Sequence, residues 1–376
     1  MIRNRQLPAN LSQNNLNAIF RLKQALPTPT PVPVWSLLIT GDVIPVRKVN
    51  AGMVARQDFF WPVRGISEIL KNADLTLINL EAPLGKNCPV ITGGFKFCTD
   101  SRFVEALNAS GVDIVNLANN HTLNFGWEGL GETEQLLNQK GIETTGYYTS
   151  QQSSVVSRQT QEIVEEADKV EMVENAVTTE LTQNDAIAQN CAGNIYCSKL
   201  TTLNIKGFQV GFLGYNGVGQ RIDRKISEQE IKQAREKVNV LIVSVHWGKE
   251  YEREPLPDVS LAPDDPKEIG RLFIDWGADL VVGNHPHWYQ PFDFAQGKDG
   301  QEKVIFYALG NTVFDQEWSQ ETKRGILARL HFEGTKVIKD KTEIIPLGIR
   351  NFGETYLLEG EEKKQILDFY QENKIL

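Results

Sequence analysis

Five short apolar runs in this chain each close on a residue suited to proton or metal chemistry. Leu37-Leu-Ile-Thr-Gly leads to Asp42, and Leu75-Thr-Leu-Ile-Asn-Leu leads to Glu81. Val112-Asp-Ile-Val-Asn-Leu-Ala-Asn leads to Asn120-His121, Val240-Leu-Ile-Val-Ser-Val to His246, and Leu280-Val-Val-Gly-Asn to His285-Pro-His287. Runs of this length, rich in β-branched residues, predict strands. In α/β sheets the loops beyond the carboxyl ends of strands converge on one crevice, so these residues are expected to meet. The chain holds only five histidines, and four lie at such places. One histidine so placed is more often a structural residue. Four of five is the pattern of a metal or catalytic site. Imidazoles with hard carboxylates and an amide oxygen suit Mn, Zn or Fe. The fifth, His331, lies within an apolar strand pattern and is given no role.

Further strands are expected at Ser36–Thr40, Asp113–Leu117, Leu203–Ile205, Val210–Leu213, Val304–Ala308, Gly325–His331 and Val337–Ile345. Helices are expected at Ile66–Lys71, Ser101–Ala109, Trp127–Gln139, Ser227–Lys237, Pro266–Trp276 and Glu361–Glu372. Gly111, Gly141 and Gly277 follow three of them, where a helix end commonly needs a left-handed residue. The alternation is α/β with no fixed repeat. From about Thr149 to Ser198 the chain turns polar and acidic, which reads as a solvated insertion between two core strands.

Composition narrows the function classes. The chain is 41% hydrophobic and 23% charged, with net charge -9. It has no Lys/Arg cluster, so nucleic acid is not an expected partner. It has no apolar run long enough to span a bilayer and no signal-peptide pattern at its start. The prolines of Leu26-Pro-Thr-Pro-Thr-Pro-Val-Pro33 read as an extended spacer, either following an upstream membrane anchor or forming a disordered tail. Cys88 with Cys98, and Cys191 with Cys197, form two local pairs. Disulfides would place the chain in an oxidising compartment; buried free thiols or a zinc site are the alternatives.

The chain resembles the CapA family (poly-γ-glutamate/capsule synthesis proteins), a branch of the calcineurin-like metallophosphoesterase superfamily. The resemblance rests on Gly41-Asp42-Val-Ile-Pro-Val-Arg47, Asn79-Leu-Glu81-Ala-Pro83, Phe95-Lys96-Phe97, and Ala118-Asn-Asn120-His121 with Gly126. It continues through His246-Trp-Gly248 with Glu250-Tyr251, Gly277-Ala-Asp279-Leu-Val-Val-Gly283-Asn284-His285-Pro-His287, and Tyr307-Ala-Leu-Gly310-Asn311 with Phe314-Asp315-Gln316. It implies a four-layer αββα sandwich of the metallo-dependent phosphatase type. The expected division is a tail and spacer over 1–34, a domain over 35–350 interrupted at about 149–198, and a C-terminal helix within 351–376.

The resemblance also implies one or two divalent ions. Asp42, Glu81 and His287 would hold the first; Glu81, Asn120, His246 and His285 would hold the second. His121 would protonate a leaving group or steady an oxyanion, and Arg47 and Lys96 would hold an anionic polymer or phosphoester. Three departures matter. Ile44 stands where the superfamily places a first-metal histidine, Glu81 replaces the usual bridging aspartate, and Asn124 and Asn284 replace an aspartate and a histidine near the site. The expectation is a metal-dependent hydrolase-like protein of cell-surface polymer metabolism, outside the cytoplasm and beside membrane-bound synthesis machinery. The alternatives are a non-catalytic metal-binding scaffold and a cytoplasmic location. An amidohydrolase-like barrel is set aside, because that family carries its His-x-His pair on the first strand and here it falls late.

Overall fold

In the computed structural model, strand β1 (Val34–Val43) shows why the chain builds layers. Its side chains alternate between two cores: Trp35, Leu37 and Ile39 enter one cluster, Leu38 and Val43 the other. The structure describes residues 31–147, 191 and 194–373. Most of the acidic stretch at 149–198 and of the Pro-rich segment lies outside the described residues.

The chain continues with α1 (Lys48–Arg56), α2 (Ser67–Lys71), β2 (Leu75–Leu80), the short pair β3 (Leu84–Gly85) and β4 (Thr99–Asp100), then α3 (Phe103–Ala109), β5 (Ile114–Asn116), α4 (Gly126–Asn138) and β6 (Glu143–Thr145). There follow β7 (Thr201–Ile205), β8 (Phe208–Asn216), α5 (Arg224–Arg235), β9 (Val240–His246), α6 (Pro266–Trp276), β10 (Leu280–Asn284), β11 (Phe292–Gln296) and β12 (Glu302–Phe306). The last elements are β13 (Asn311–Val313), β14 (Arg324–Glu333), β15 (Lys336–Val337), β16 (Glu343–Arg350), β17 (Glu354–Leu357) and α7 (Gly360–Glu372).

The first sheet has the order β17-β16-β14-β1-β2-β5-β6, with β13 joined to β1 and β15 to β14. The second has the order β11-β12-β10-β9-β8-β7. Strands β1, β2, β5 and β6 run parallel, as do β8, β9, β10 and β12, so each sheet gathers its carboxyl ends at one edge. Leu37, Ile39, Leu75, Leu77 and Ile114 of the first sheet share one cluster with Phe212, Val240, Ile242, Leu280 and Phe306 of the second. The opposite face of the first sheet packs on Met53, Leu70, Phe103, Leu107, Leu130 and Leu137 of α1 to α4. The opposite face of the second packs on Ile231, Ile269 and Phe273 of α5 and α6. The fold is therefore the four-layer αββα sandwich.

Local chemistry explains the element ends. Asp223 and Asp265 cap α5 and α6, each accepting from two backbone N–H groups of the first turn. Gly111, Gly141 and Gly277 take positive φ just past their helices. One expected strand is corrected: Val337–Ile345 is interrupted by a 3₁₀ turn at Lys339–Lys341, where three charged residues have no apolar face to bury. Helix α1 escaped the pattern because Gly52 and Asn50 break its apolar stripe; only Val49, Asn50 and Met53 are buried. The cysteines pair as Cys88–Cys98 and Cys191–Cys197, with Cα atoms 5.4 and 5.6 Å apart, and none is free. Among the described residues no helix is long and apolar enough to cross a membrane.

Candidate metal centre

Register places two rows of polar residues across the sheets at one level. In the first sheet Asn311, Asp42, Asn79 and Asn116 are paired neighbours on β13, β1, β2 and β5. In the second, Asn216, His246 and Asn284 are paired neighbours on β8, β9 and β10. Simple alternation carries Asn79, Glu81, Asn116 and His246 toward the other sheet, because Leu75, Leu77, Ile114, Val240 and Ile242 already face that way.

Asp42 reaches the same space by a different route. Alternation from Ile39 would send it toward the helices, but a register irregularity between Ile39 and Asp42 reverses the parity, and Val43 packs on the helix side instead. Gly41 makes this possible: a Cβ there would lie 1.9 Å from the Gly310 carbonyl oxygen. The Asp42 carboxylate is then fixed by a relay of amides. Asn116 Nδ2 donates to Asn79 Oδ1 at 2.9 Å, and Asn79 Nδ2 donates to Asp42 Oδ1 at 3.0 Å.

Asp42, Glu81 and His246 each offer a ligand atom, and these atoms lie within 4.8 Å of one another. His246 Nε2 and His121 Nε2 stand 3.7 and 3.9 Å from Glu81 Oε1. His287 Nδ1 lies 3.2 Å from Asp42 Oδ2 and 3.0 Å from Asn311 Oδ1. The His285 ring centroid is 4.9 Å from that of His246 and 6.0 Å from that of His287. Asn119 donates to the Leu80 carbonyl, whereas the Oδ1 of the next residue, Asn120, is buried and without a hydrogen-bond partner.

Unpaired atoms gather here. Glu81 Oε2, Asn120 Oδ1 and both ring nitrogens of His246 and of His285 are buried without a hydrogen-bond partner. Each such group costs about 1–3 kcal/mol to leave unsatisfied. This donor set, oxygens and imidazole nitrogens facing one space, fits a divalent cation. The backbone is also held in costly conformations, with φ of 98° at His285 and 60° at His287.

Burial and charge sort the protonation states. Burial pushes His246 down to about 4 despite the pull of Asp42, and His285 well below its ordinary value, with His246 and His287 adding to the effect. Burial likewise takes His121 to about 4. For His287 burial also lowers the pKa, but the hydrogen bond to Asp42 and the charges of Glu81, Asp42 and Glu250 outweigh it and raise it to about 9. Burial, then the Asp42 charge, holds Glu81 well above the usual carboxylate range. Three imidazoles are thus neutral at pH 7, the form that ligates metal.

Arg47 and Lys96 are not brought into the cluster. The Arg47 guanidinium pairs with Asp315 and lies 4.7 Å from the Phe314 ring centroid and 5.4 Å from that of Phe97. Lys96 is exposed, its Nζ 4.5 Å from the Phe125 ring centroid. Sequence reasoning assigned no role to Asn79, Asn116 and Asn311, although asparagines inside apolar strand runs were a usable signal. It also assigned none to Glu250, whose Oε1 is 3.9 Å from His285 Nε2.

The close packing of the second sheet's edge is testable. A Cβ on Gly283 would lie 2.0 Å from the Tyr307 carbonyl oxygen and 2.4 Å from Trp247 Nε1. Gly283→Ala is expected to cost about 1–3 kcal/mol by overpacking. Urea unfolding checks this; an unchanged midpoint would show that the edge relaxes freely.

The family model of the bacterial capsule synthesis protein PGA_cap matches residues 36–316. The chain is 27% identical over 326 residues to the capsule biosynthesis protein CapA of Bacillus anthracis, covering 84% of this chain and 67% of that one. It is 28% identical over 324 residues to the PGA biosynthesis protein CapA of Bacillus subtilis, covering 84% and 72%. Among solved structures it is similar to a phosphatase from Mycoplasma pneumoniae, with a TM-score of 0.44 and 12% identity over 89% of this chain and 97% of that one.

Proposed function

The chain belongs to the bacterial capsule synthesis protein PGA_cap family, and from that premise we propose that it is a metal-dependent hydrolase of cell-surface polymer metabolism. The observation that carries this reading is the set of unpartnered donors on Glu81, Asn120, His246 and His285, buried beside Asp42. Glu81, Asn120, His246 and His285 would hold one ion, and Asp42, Glu81 and His287 another. A divalent cation there supplies Lewis acidity, polarising a phosphoester or amide and making water a better nucleophile near neutral pH.

His121 moves the proton in this scheme. Asn124 Oδ1 accepts from the Phe97 N–H at 2.6 Å, so it is a carbonyl oxygen and His121 Nδ1, 3.1 Å away, must donate to it. That leaves Nε2 directed toward Glu81, and the Phe97 ring, stacked 3.8 Å away, holds the imidazole in place. Nε2 then carries the lone pair, so in this tautomer it accepts a proton, and it would protonate a leaving group only after taking one up. Of the two proposed anion-binding residues, Arg47 already has its charge matched by Asp315, and Lys96 is the more exposed. The two disulfides support a location outside the cytoplasm, and the family match supports an association with polymer synthesis machinery.

The test is turnover of bis(p-nitrophenyl) phosphate and of a γ-glutamyl amide by Mn²⁺-loaded protein. His121→Ala should lower kcat roughly 10²–10⁴-fold while leaving metal binding intact. The second reading, a non-catalytic metal-binding scaffold, is favoured by one observation: Ile44 is fully buried in an apolar cluster with Val46, Ala82, Phe97 and Phe314 and offers no ligand. Absence of turnover on both substrates, with metal bound, would decide for the scaffold.

A further inference from the structure

We propose that Glu250 is a ligand of this metal centre, on the His285 side, so that the centre gains a carboxylate there while Ile44 withholds a donor from the other side. The inference rests on the metal-binding reading above. Glu250 lies in the turn after β9, and that turn is tied on both sides to the loop bearing His285 and His287. Trp247 N donates to the Asn284 carbonyl at 3.1 Å, and Tyr251 N to the Pro286 carbonyl at 2.9 Å. Gln316 Nε2 donates to the Tyr251 hydroxyl at 2.8 Å. Gly248 and Tyr251 both take positive φ, 81° and 59°, which turns the chain sharply on either side of Glu250. Its backbone is therefore fixed relative to His285.

The side-chain geometry is that of two ligands sharing an ion. Glu250 Oε1 is 3.9 Å from His285 Nε2, too far for a hydrogen bond. Two donors each about 2.1 Å from one cation lie roughly 3–4 Å apart. His246 Nε2 and Glu81 Oε1 show the same spacing, at 3.7 Å. His285 is completely buried and its Nε2 has no hydrogen-bond partner. The Glu250 side chain is one-third exposed, and among the described residues no Lys or Arg pairs with it. Asp42, Glu81 and His246 bring ligand atoms within 4.8 Å of one another, and His285, its ring centroid 4.9 Å from that of His246, joins that group to Glu250. The Tyr251 hydroxyl hydrogen-bonds the Glu250 carboxylate, and a cation shared with His285 would match its charge.

The experiment titrates the full chain, stripped by chelator, with Mn²⁺ alone, and records thermal unfolding of the stripped protein. Glu250→Gln is expected to weaken the tighter Mn²⁺ site by at least about 10-fold, and Glu250→Asp to recover part of the loss. Without metal, Glu250→Gln should unfold at an equal or higher temperature, because one like charge has been removed; a merely structural carboxylate would lower it. Unchanged Mn²⁺ affinity in Glu250→Gln, with affinity lost in His246→Ala, overturns the assignment of Glu250 and spares the metal centre. Unchanged affinity in both variants, or no Mn²⁺ binding by the unsubstituted chain, overturns the metal centre and the assignment together.

Discussion

His246→Ala is expected to strip the chain of its tight divalent-metal binding, whereas Asp42→Ala is expected to leave about one ion per chain. The asymmetry starts at Ile44, whose fully buried side chain stands where the superfamily's first metal takes a histidine. The first ion is left with Asp42, Glu81 and His287. His287 is not freely available to it, because its Nδ1 sits against both Asp42 and Asn311 and its pKa is raised to about 9. An ion taking that imidazole at pH 7 must displace a proton, a penalty of about two decades in affinity. The second ion meets the opposite situation, since His246 and His285 are already neutral and unpartnered. Titration calorimetry with Mn²⁺ should resolve one tight and one weak site, the weak one strengthening as pH rises. Two sites of matched affinity at pH 7 would sink the idea and point to another donor in the place of Ile44.

The sequence carried the site further than it carried the sheets. Alternation within Leu75–Leu80 and Val240–Val245 already directs Glu81 and His246 into the space between the sheets, because the apolar residues four back, Leu77 and Ile242, face the same way. Asp42 could not be placed by that rule. Its direction depends on the irregularity at Thr40-Gly41, which is set by how closely the Gly310 carbonyl approaches and leaves no trace in hydrophobic pattern. Glu250 was quoted within a motif and passed over, because a charged residue in a polar loop looks like any solvated side chain until Tyr251 and Trp247 are seen to tie its turn to His285. The short strands β11, β13 and β17 were missed for a related reason. Each has three to five residues, too few to show a period, and is a strand through its pairing with a neighbour.

Thermal unfolding of the metal-free protein should show a maximum near pH 6.5, with a steep acid limb that added Mn²⁺ raises near neutrality and no longer raises at low pH. His121 and His246 have folded-state pKa values of about 4, and that of His285 lies well below its ordinary value, all chiefly through burial. Their unfolded values are near 6.5. Between about pH 6.5 and 4 the unfolded chain therefore binds protons that the folded chain refuses, and stability falls as pH falls. The shifts of His121 and His246 each correspond to about 3 kcal/mol, a large share of a marginal total. Glu81 opposes part of this, since a raised carboxylate pKa means stability is lost as pH rises above its unfolded value. One carboxylate does not cancel three histidines. Above pH 6.5 the sign reverses: His287, raised to about 9, contributes stability that is fully present below 6.5 and is lost as pH climbs through 9. Divalent metal binds the neutral imidazoles and adds stability only where they are free of protons, so the gap between loaded and stripped protein should close toward pH 4. A stripped protein whose unfolding temperature is flat from pH 5 to 7 would mean that these histidines are hydrated in solution. The cluster of unpartnered donors, and the metal centre inferred from it, would then lose their physical basis.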